Sequence, residues 1–304
     1  MMLGSRATTI GFMGLRGKSV GLATRLLDHG FRLAVWDRDA DRLSRFASGG
    51  AEMVRRPGDL AKHAAILVCA LETGAEVEAA LGGPDGFVEA ASAGDVIVCL
   101  STIDPAVLRR VNANAAPLSV DIVDTPLTSE LSGNRQVLRA YAGGNAAALE
   151  RVRPLLSVLA DEVVHCGALG NGLAMKHVVN MLAQVQRVLI VEALALGRKA
   201  GLDLQQMVHT IAGSKGNSIA FQRLAPRILA QDFEGVPMRV TCDDVAIQAQ
   251  MANSLDVPVI MTSGALQVYK MGVSMGFGDL DTAALAKVYE LCTAVTLHLD
   301  DQHS

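Results

Sequence analysis

The sequence predicts an α/β protein: a doubly wound parallel sheet in the N-terminal half and an all-α domain in the C-terminal half, joined by one long helix. Three observations carry this. Up to about residue 168, short apolar runs alternate with helix-like stretches, the pattern of strands linked by crossover helices. Beyond Gly170 no strand-like alternation survives. Between Leu173 and Ala200 there is no proline and one glycine, Gly197, while apolar residues recur at spacings of three and four.

In order, Thr8–Met13 reads as a strand, Lys18–His29 as a helix and Arg32–Asp37 as a second strand. Further strands are expected at Ala65–Ala70, Val96–Leu100, Ser119–Asp124 and Val137–Ala142. Helices fill the gaps, as at Asp104–Ala115, where Pro105 suits a first helical turn. The long helix ends before Gly201, placed as a helix-stopping glycine. Helical stretches follow near Asp203–Ala212, Ile219–Gln231, Val240–Ser254, Pro258–Met271 and Thr282–Asp300. The expected domains are residues 1–168, a nucleotide-binding domain of Rossmann type, and residues 169–304, a substrate and dimerisation domain that includes the long helix.

Composition limits the function classes. The 304 residues are half apolar and carry a formal net charge of −4, so no broad basic field exists to release counterions from nucleic acid. The longest apolar runs, such as Ala64–Leu71 and Val188–Leu196, are short or carry charges like Glu192, so no membrane span is expected. The first residues carry no signal-like apolar stretch, and the expected location is the cytoplasm. Five scattered cysteines form no CxxC pair and seven scattered histidines form no ligand cluster, so no metal is expected. The apolar surface of a long helix and an all-α domain predicts a homodimer or homotetramer.

The first predicted strand runs into Gly11-Phe-Met-Gly14-Leu-Arg16-Gly17-Lys-Ser19. A dinucleotide turn uses three glycines, for the turn itself, for backbone approach to pyrophosphate and for close helix packing. Gly14 holds the first place, but Arg16 and Ser19 hold the second and third. The context supports a nucleotide site, because the turn joins strand to helix and Asp37 ends the second strand where a ribose-binding acid belongs. Arg16 either collides with phosphate or binds it. Asp37 favours NAD, while Arg38 beside it leaves NADP possible. The candidate cofactor contacts are Gly11, Met13, Gly14, Leu15 and Arg16 at the first turn, Asp37 and Arg38 at the second, Leu71 after the strand ending at Ala70, and Ser101 with Thr102.

The long helix opens with Gly170-Asn-Gly172-Leu-Ala-Met-Lys176-His-Val-Val-Asn180. Lys176 and Asn180 are spaced i, i+4 and share one helix face. A lysine near a helix N-terminus, partly buried among Met175, Val178 and Val179, has its charged form disfavoured, as a general acid or base at neutral pH requires. Spacing alone leaves an ordinary lysine of an amphipathic helix equally open. Glycines just before the helix suit a close backbone approach.

These segments together resemble the β-hydroxyacid dehydrogenase family, which includes 3-hydroxyisobutyrate dehydrogenase and tartronate semialdehyde reductase. The resemblance covers Ile10 to about Leu291 and lies in the order and spacing of several motifs. It implies that Lys176 is the catalytic lysine and that Asn180 helps to hold substrate. It implies that Ser101-Thr102-Ile103 lies near the nicotinamide ribose. It also implies that Asp124-Thr-Pro126-Leu-Thr128-Ser129-Glu130 is the loop cupping the substrate carboxylate, with Thr128 orienting the substrate. The implied reaction passes hydride between a substrate CH–OH carbon and nicotinamide while Lys176 handles the hydroxyl proton.

Three departures from the family pattern cluster at the implied site: Arg16 for a glycine, Ser129-Glu130 for paired glycines, and Asp243 for the lysine of a Lys-Asp pair. The last two add negative charge where a carboxylate is expected to bind, so they predict a substrate that is not a plain small hydroxy acid. The alternative is that Glu130 turns outward to solvent. The competing functions are an imine reductase of the same architecture, against which Lys176 argues, and a non-catalytic nucleotide-binding member, which Arg16 and Asp243 favour.

Overall fold

The structure is a computed structural model that describes residues 6, 8–47, 49–132 and 135–299. It divides into two compact units, Met1–Lys176 and His177–Ser304. In the first, β1 (Thr9–Met13), α1 (Lys18–Asp28), β2 (Arg32–Trp36), α2 (Ala40–Ala47) and β3 (Glu52–Met53) come first. They are followed by α3 (Leu60–His63), β4 (Ile66–Cys69), α4 (Gly74–Gly82), α5 (Phe87–Ala90), β5 (Val96–Cys99), α6 (Pro105–Ala115) and β6 (Asp121–Asp124). These strands form a six-stranded sheet in the order β3-β2-β1-β4-β5-β6, and every pair is parallel. The chain winds outward in both directions from the β1–β4 neighbours, so the switch point lies between them, where open α/β sheets take their ligands.

Strand residues alternate between the two faces of this sheet. Met13, Leu67, Cys69, Ile97 and Cys99 join one apolar cluster with α4 and α6 residues. Ile10, Phe12, Val68, Val96 and Val98 join the other with Ala23 and Leu26 of α1. Both faces are covered, which is why these strands read as near-continuous apolar runs.

After β6 the chain forms β7 (Leu127–Ser132), β8 (Arg135–Ala142), α7 (Ala146–Leu159) and β9 (Glu162–His165). The run Val137–Ala142, read with the other strands as part of the doubly wound sheet, belongs instead to a second sheet, β7-β8-β9. β7 and β8 pair antiparallel with Thr128 opposite Arg139, and β8 and β9 pair parallel. The reason lies in the connection. A parallel neighbour needs a crossover of a dozen or more residues, and between β6 and β8 the chain holds only β7.

A continuous helix, α8, runs from Asn171 to Lys199, as the sequence predicts. Its length and composition would let it cross a membrane, which corrects the expectation that no segment is apolar enough. Apolar core helices meet the same criterion. In the second unit α9 (Leu204–Ala212), α10 (Ile219–Leu229), α11 (Met238–Ser254), α12 (Ile260–Gly272) and α13 (Leu285–Thr293) follow, with no strand among the described residues. Their core gathers Val191, Leu194, Leu224, Ile228, Met238 and Val245 around the fully buried Tyr269. The Tyr269 hydroxyl donates to the Gln184 carbonyl at 2.9 Å, so the buried phenol has a partner. The last helix stops at Thr293, short of the expected Asp300, because Ala294 turns into the left-handed region at φ 52°.

Candidate active site

The site in the first unit is built at the carboxyl ends of β1, β2, β4 and β5. Gly14 follows β1 at φ +97°, and a Cβ there would lie 2.6 Å from the Ala70 carbonyl oxygen, so this glycine is required by the turn and by β4 together. A cavity of about 200 Å³ opens beside it, lined by Gly14, Arg16, Asp37, Arg38 and Leu71, five of the predicted cofactor residues. The predicted Gly11, Met13 and Leu15 are placed differently. Gly11 is inside β1, and the Met13 and Leu15 side chains are buried in the core. Arg42, Glu72 and Glu76 also line the cavity and were not singled out by sequence. Nothing short-range marks them, since they come from α2, the β4–α4 turn and α4.

The Asp37 carboxylate accepts from Leu15 N–H at 2.6 Å and from Asp39 N–H at 2.8 Å, with Arg42 at 3.6 Å. Each oxygen retains acceptor capacity for a ribose hydroxyl. Arg38 is exposed and reaches Glu76 at 3.3 Å. Glu76 also completes a capping box with Thr73 at the start of α4. Arg16 pairs with Glu72 across the two turns.

Lys176 is buried. Its Nζ donates to Thr102 Oγ1 at 2.7 Å and to the Leu127 carbonyl at 2.9 Å. These bonds draw the end of β5, the start of β7 and the second turn of α8 to one ammonium group. Ser101 Oγ and Thr128 Oγ1, each next in sequence to one of these partners, are buried with no hydrogen-bond partner. Buried hydroxyls without partners are uncommon in finished cores, and a ligand or an ordered water is what supplies the missing bond. The cavity, the Gly14 turn and these two hydroxyls fit a nicotinamide dinucleotide with a small polar substrate beside it.

Asp124, at the end of β6, fixes the start of α8. Its Oδ1 accepts from Gly170 N–H at 2.7 Å and its Oδ2 from Leu173 N–H at 2.6 Å. Desolvation pushes its pKa up, against those backbone bonds. The close approach expected of the glycines before the helix is to this carboxylate and its surroundings. A Cβ on Gly172 would stand 2.2 Å from the Tyr141 carbonyl oxygen and 2.8 Å from Asp124 Oδ2, and one on Gly143 would stand 2.5 Å from Asp124 Oδ1. Sequence reasoning read Asp124 as a strand end and as part of the substrate loop, and missed this capping role.

Glu130 faces neither open solvent nor an uncompensated site. Its carboxylate receives the Arg139 guanidinium and the Tyr141 hydroxyl. Arg139 also donates to Glu162 at 2.7 and 2.9 Å, and that bond raises its pKa further. Thr128 and Glu130 are two apart on β7 and share its face with this network. Ser129, on the other face, is exposed and accepts from Gln136 Nε2 at 2.5 Å.

In the second unit, Asn180 Nδ2 lies 3.5 Å from Asp244 Oδ2. Asp243, the residue singled out by sequence, is exposed on α11. The two aspartates are one residue apart and so about 100° apart around the helix. One turn further on, Gln248 donates to Gln184 at 2.6 Å, continuing the polar line between α8 and α11. His177, next to Lys176, is fully buried. Among the described residues no three His, Cys, Asp or Glu side chains gather as metal ligands.

Comparison with known proteins bears on the class. Residues 9–167 match the NAD-binding domain of 6-phosphogluconate dehydrogenase, and residues 170–289 match the NAD-binding domain of NADP-dependent 3-hydroxyisobutyrate dehydrogenase. The chain is 30% identical over 295 residues to the 2-(hydroxymethyl)glutarate dehydrogenase of Eubacterium barkeri, covering 96% of this chain and 98% of that protein. It is 26% identical over 289 residues to human mitochondrial 3-hydroxyisobutyrate dehydrogenase, covering 91% of this chain and 85% of that one. Among solved structures, Mycobacterium tuberculosis 3-hydroxyisobutyrate dehydrogenase with L-serine superposes with a TM-score of 0.83 at 25% identity, over 93% of this chain and 99% of that chain. Fold, cavity and relatives together define a nicotinamide-dependent dehydrogenase acting on CH–OH donors, with NAD as cofactor and NADP possible. The chain belongs to the β-hydroxyacid dehydrogenase family.

Proposed function

We propose that the protein interconverts a small 3-hydroxy acid and its carbonyl counterpart, with Lys176 as general acid and base. The observation that carries this reading is the buried Lys176 ammonium held between Thr102 Oγ1 and the Leu127 carbonyl, next to two buried hydroxyls without partners. The bound nicotinamide supplies the hydride acceptor or donor. In the oxidative direction Lys176, as the neutral amine, takes the substrate hydroxyl proton and becomes the ammonium; in the reductive direction the ammonium gives that proton to the carbonyl oxygen. Thr102 and Leu127 fix the ammonium, so little orientation is lost on reaction. Thr128 Oγ1 binds the substrate and Ser101 Oγ the cofactor ribose, and each gains the partner it lacks. Asn180 orients the substrate and is itself held by Asp244.

In this reading residues 1–168 hold the cofactor, and residues 169–304 serve substrate binding and dimerisation. Leu182, Leu189 and Leu196 on α8 are seven residues apart and exposed, which supports a homodimer or homotetramer. The working location is the cytoplasm, with no nucleic acid or membrane partner. The substrate carries more than a plain small hydroxy acid. The Glu130, Arg139 and Glu162 group holds two carboxylates to one guanidinium on the Thr128 face, which favours a hydroxyl or amine on the substrate. L-serine, present with one structural relative, is an amine-bearing 3-hydroxy acid.

The test is a panel of 3-hydroxyisobutyrate, 2-(hydroxymethyl)glutarate and L-serine with NAD and with NADP. NAD-linked oxidation of at least one is expected, with the plain 3-hydroxyisobutyrate not the best. Protein that binds NADH yet turns over none of them overturns the dehydrogenase assignment to 3-hydroxy acids. Best turnover on 3-hydroxyisobutyrate, unchanged by Glu130→Gly, overturns the substrate reading alone.

A further inference from the structure

The turn after β1 points its main-chain donors inward. Gly14 N–H donates to the Trp36 carbonyl at 2.9 Å, Leu15 N–H to Asp37 Oδ2 at 2.6 Å and Arg16 N–H to Ser19 Oγ at 2.9 Å. Ser19 Oγ in turn donates to the Arg16 carbonyl at 2.8 Å, so the hydroxyl closes the loop on both sides. In a glycine-rich dinucleotide turn, backbone N–H groups of this kind face the phosphates. Here three consecutive ones are already engaged, which leaves the first N–H groups of α1 and nearby side chains to meet a pyrophosphate.

The same turn supplies one. The Arg16 guanidinium has a fixed charge and a planar fork of N–H donors suited to phosphate. Its side chain is more than half exposed and lines the cavity with Gly14 and Asp37. Its partner in this structure is Glu72, on the turn that follows β4. Because β1 and β4 flank the switch point, the Arg16–Glu72 pair crosses the crevice through which a dinucleotide's phosphates must pass. Helix α1 adds a favourable field there, since its first turn carries no acidic residue and no side chain caps its N-terminus.

We propose that Arg16 is the phosphate ligand of this dinucleotide site, and that Glu72 is its resting partner, displaced when pyrophosphate binds. The proposal rests on the nicotinamide-cofactor assignment and goes beyond it, moving the anion contact from the backbone to a side chain with a built-in competitor. An exposed ion pair is weak, whereas a guanidinium bound to phosphate through two N–H groups is among the stronger charge-assisted contacts, so the exchange runs toward phosphate.

The experiment titrates the full-length protein and its Arg16→Gln, Arg16→Lys and Glu72→Gln variants with NADH by fluorescence, and with ADP and adenosine by calorimetry. Arg16→Gln is expected to weaken NADH and ADP by about tenfold or more and to leave adenosine unchanged. Arg16→Lys should recover part of the loss. Glu72→Gln should tighten NADH and ADP, because it removes the competitor and a like charge. Thermal melts of each variant check folding, which these exposed positions leave intact. Wild-type binding of NADH with Arg16→Gln unchanged overturns the proposal alone. Weaker binding in Glu72→Gln overturns it too, since the pair would then close over a bound nucleotide instead of opening for it. Wild-type protein that binds neither NADH nor NADPH overturns the cofactor assignment itself and this proposal with it.

Discussion

Replacing Asp124 with alanine removes both acceptors at the start of the helix that carries Lys176. The Gly170 and Leu173 N–H groups then have no partner in a buried setting, and each orphaned donor costs about 1–3 kcal/mol. Loss of an N-cap of this type alone costs about 1 kcal/mol, up to about 2. Against this, removing a buried carboxylate relieves the desolvation that raises its pKa. The net expectation is about 2–3 kcal/mol, a large share of the 5–15 kcal/mol typical of a domain. The chain has a single tryptophan, Trp36, and it lies in β2 of the same unit, so guanidinium melts followed by its fluorescence report on that unit. Lys176 is five residues beyond the first residue of α8, Asn171, so a frayed first turn displaces its Nζ from Thr102 and Leu127. A displacement on the order of 1 Å can cost about a hundredfold in turnover. NADH affinity, which depends on the β1 and β2 turns, should stay within about twofold. A melt within about 1 kcal/mol of wild type, with turnover intact, would refute the capping argument.

Two other predictions concern the same junction. Gly172→Ala places a Cβ against the Tyr141 carbonyl with no room to relax, so it should destabilise the first unit at least as much as Asp124→Ala; thermal melts decide, and a neutral result contradicts the geometry. The raised pKa of Asp124 sets a pH dependence. Its carboxyl contributes stability that is fully present below the unfolded value of 3.8 and is lost as pH rises through the raised folded pKa. Wild type minus Asp124→Asn should therefore favour wild type most in acid and shrink with rising pH, as denaturant melts can follow from about pH 4 to pH 7; a difference that grows with pH contradicts the sign.

The parallel sheet was legible because its strands are covered on both faces. Ile66–Cys69 and Val96–Cys99 are apolar at every position and stand between unmistakable helices. The second sheet was not legible in the same way. Leu127–Ser132 is polar at alternate positions and becomes a strand only through pairing with Arg135–Ala142. Glu52–Met53 is a two-residue edge strand, too short to carry a period. Lys176 and Asn180 could be picked out by helix spacing, but their partners could not. Thr102, Leu127 and Asp244 lie 74, 49 and 64 residues away in sequence. Asp243 could be singled out as the departure from a Lys-Asp pair, but the contact of its neighbour Asp244 with Asn180 could not, because sequence does not fix which side of α11 faces α8. Gly170 and Gly172 were read correctly as sites of close approach, yet what approaches is a capping carboxylate and a carbonyl oxygen.

The account centres on Lys176 as the group that moves the proton. The most direct measurement is turnover of Lys176→Ala on the best substrate of the panel, with NADH affinity determined on the same preparation. The account predicts a fall in kcat of about a hundredfold to ten-thousandfold, as loss of a positioned acid–base group gives, with NADH binding unchanged. A Lys176→Ala protein that binds NADH and keeps its turnover would contradict the assignment of the proton to this lysine.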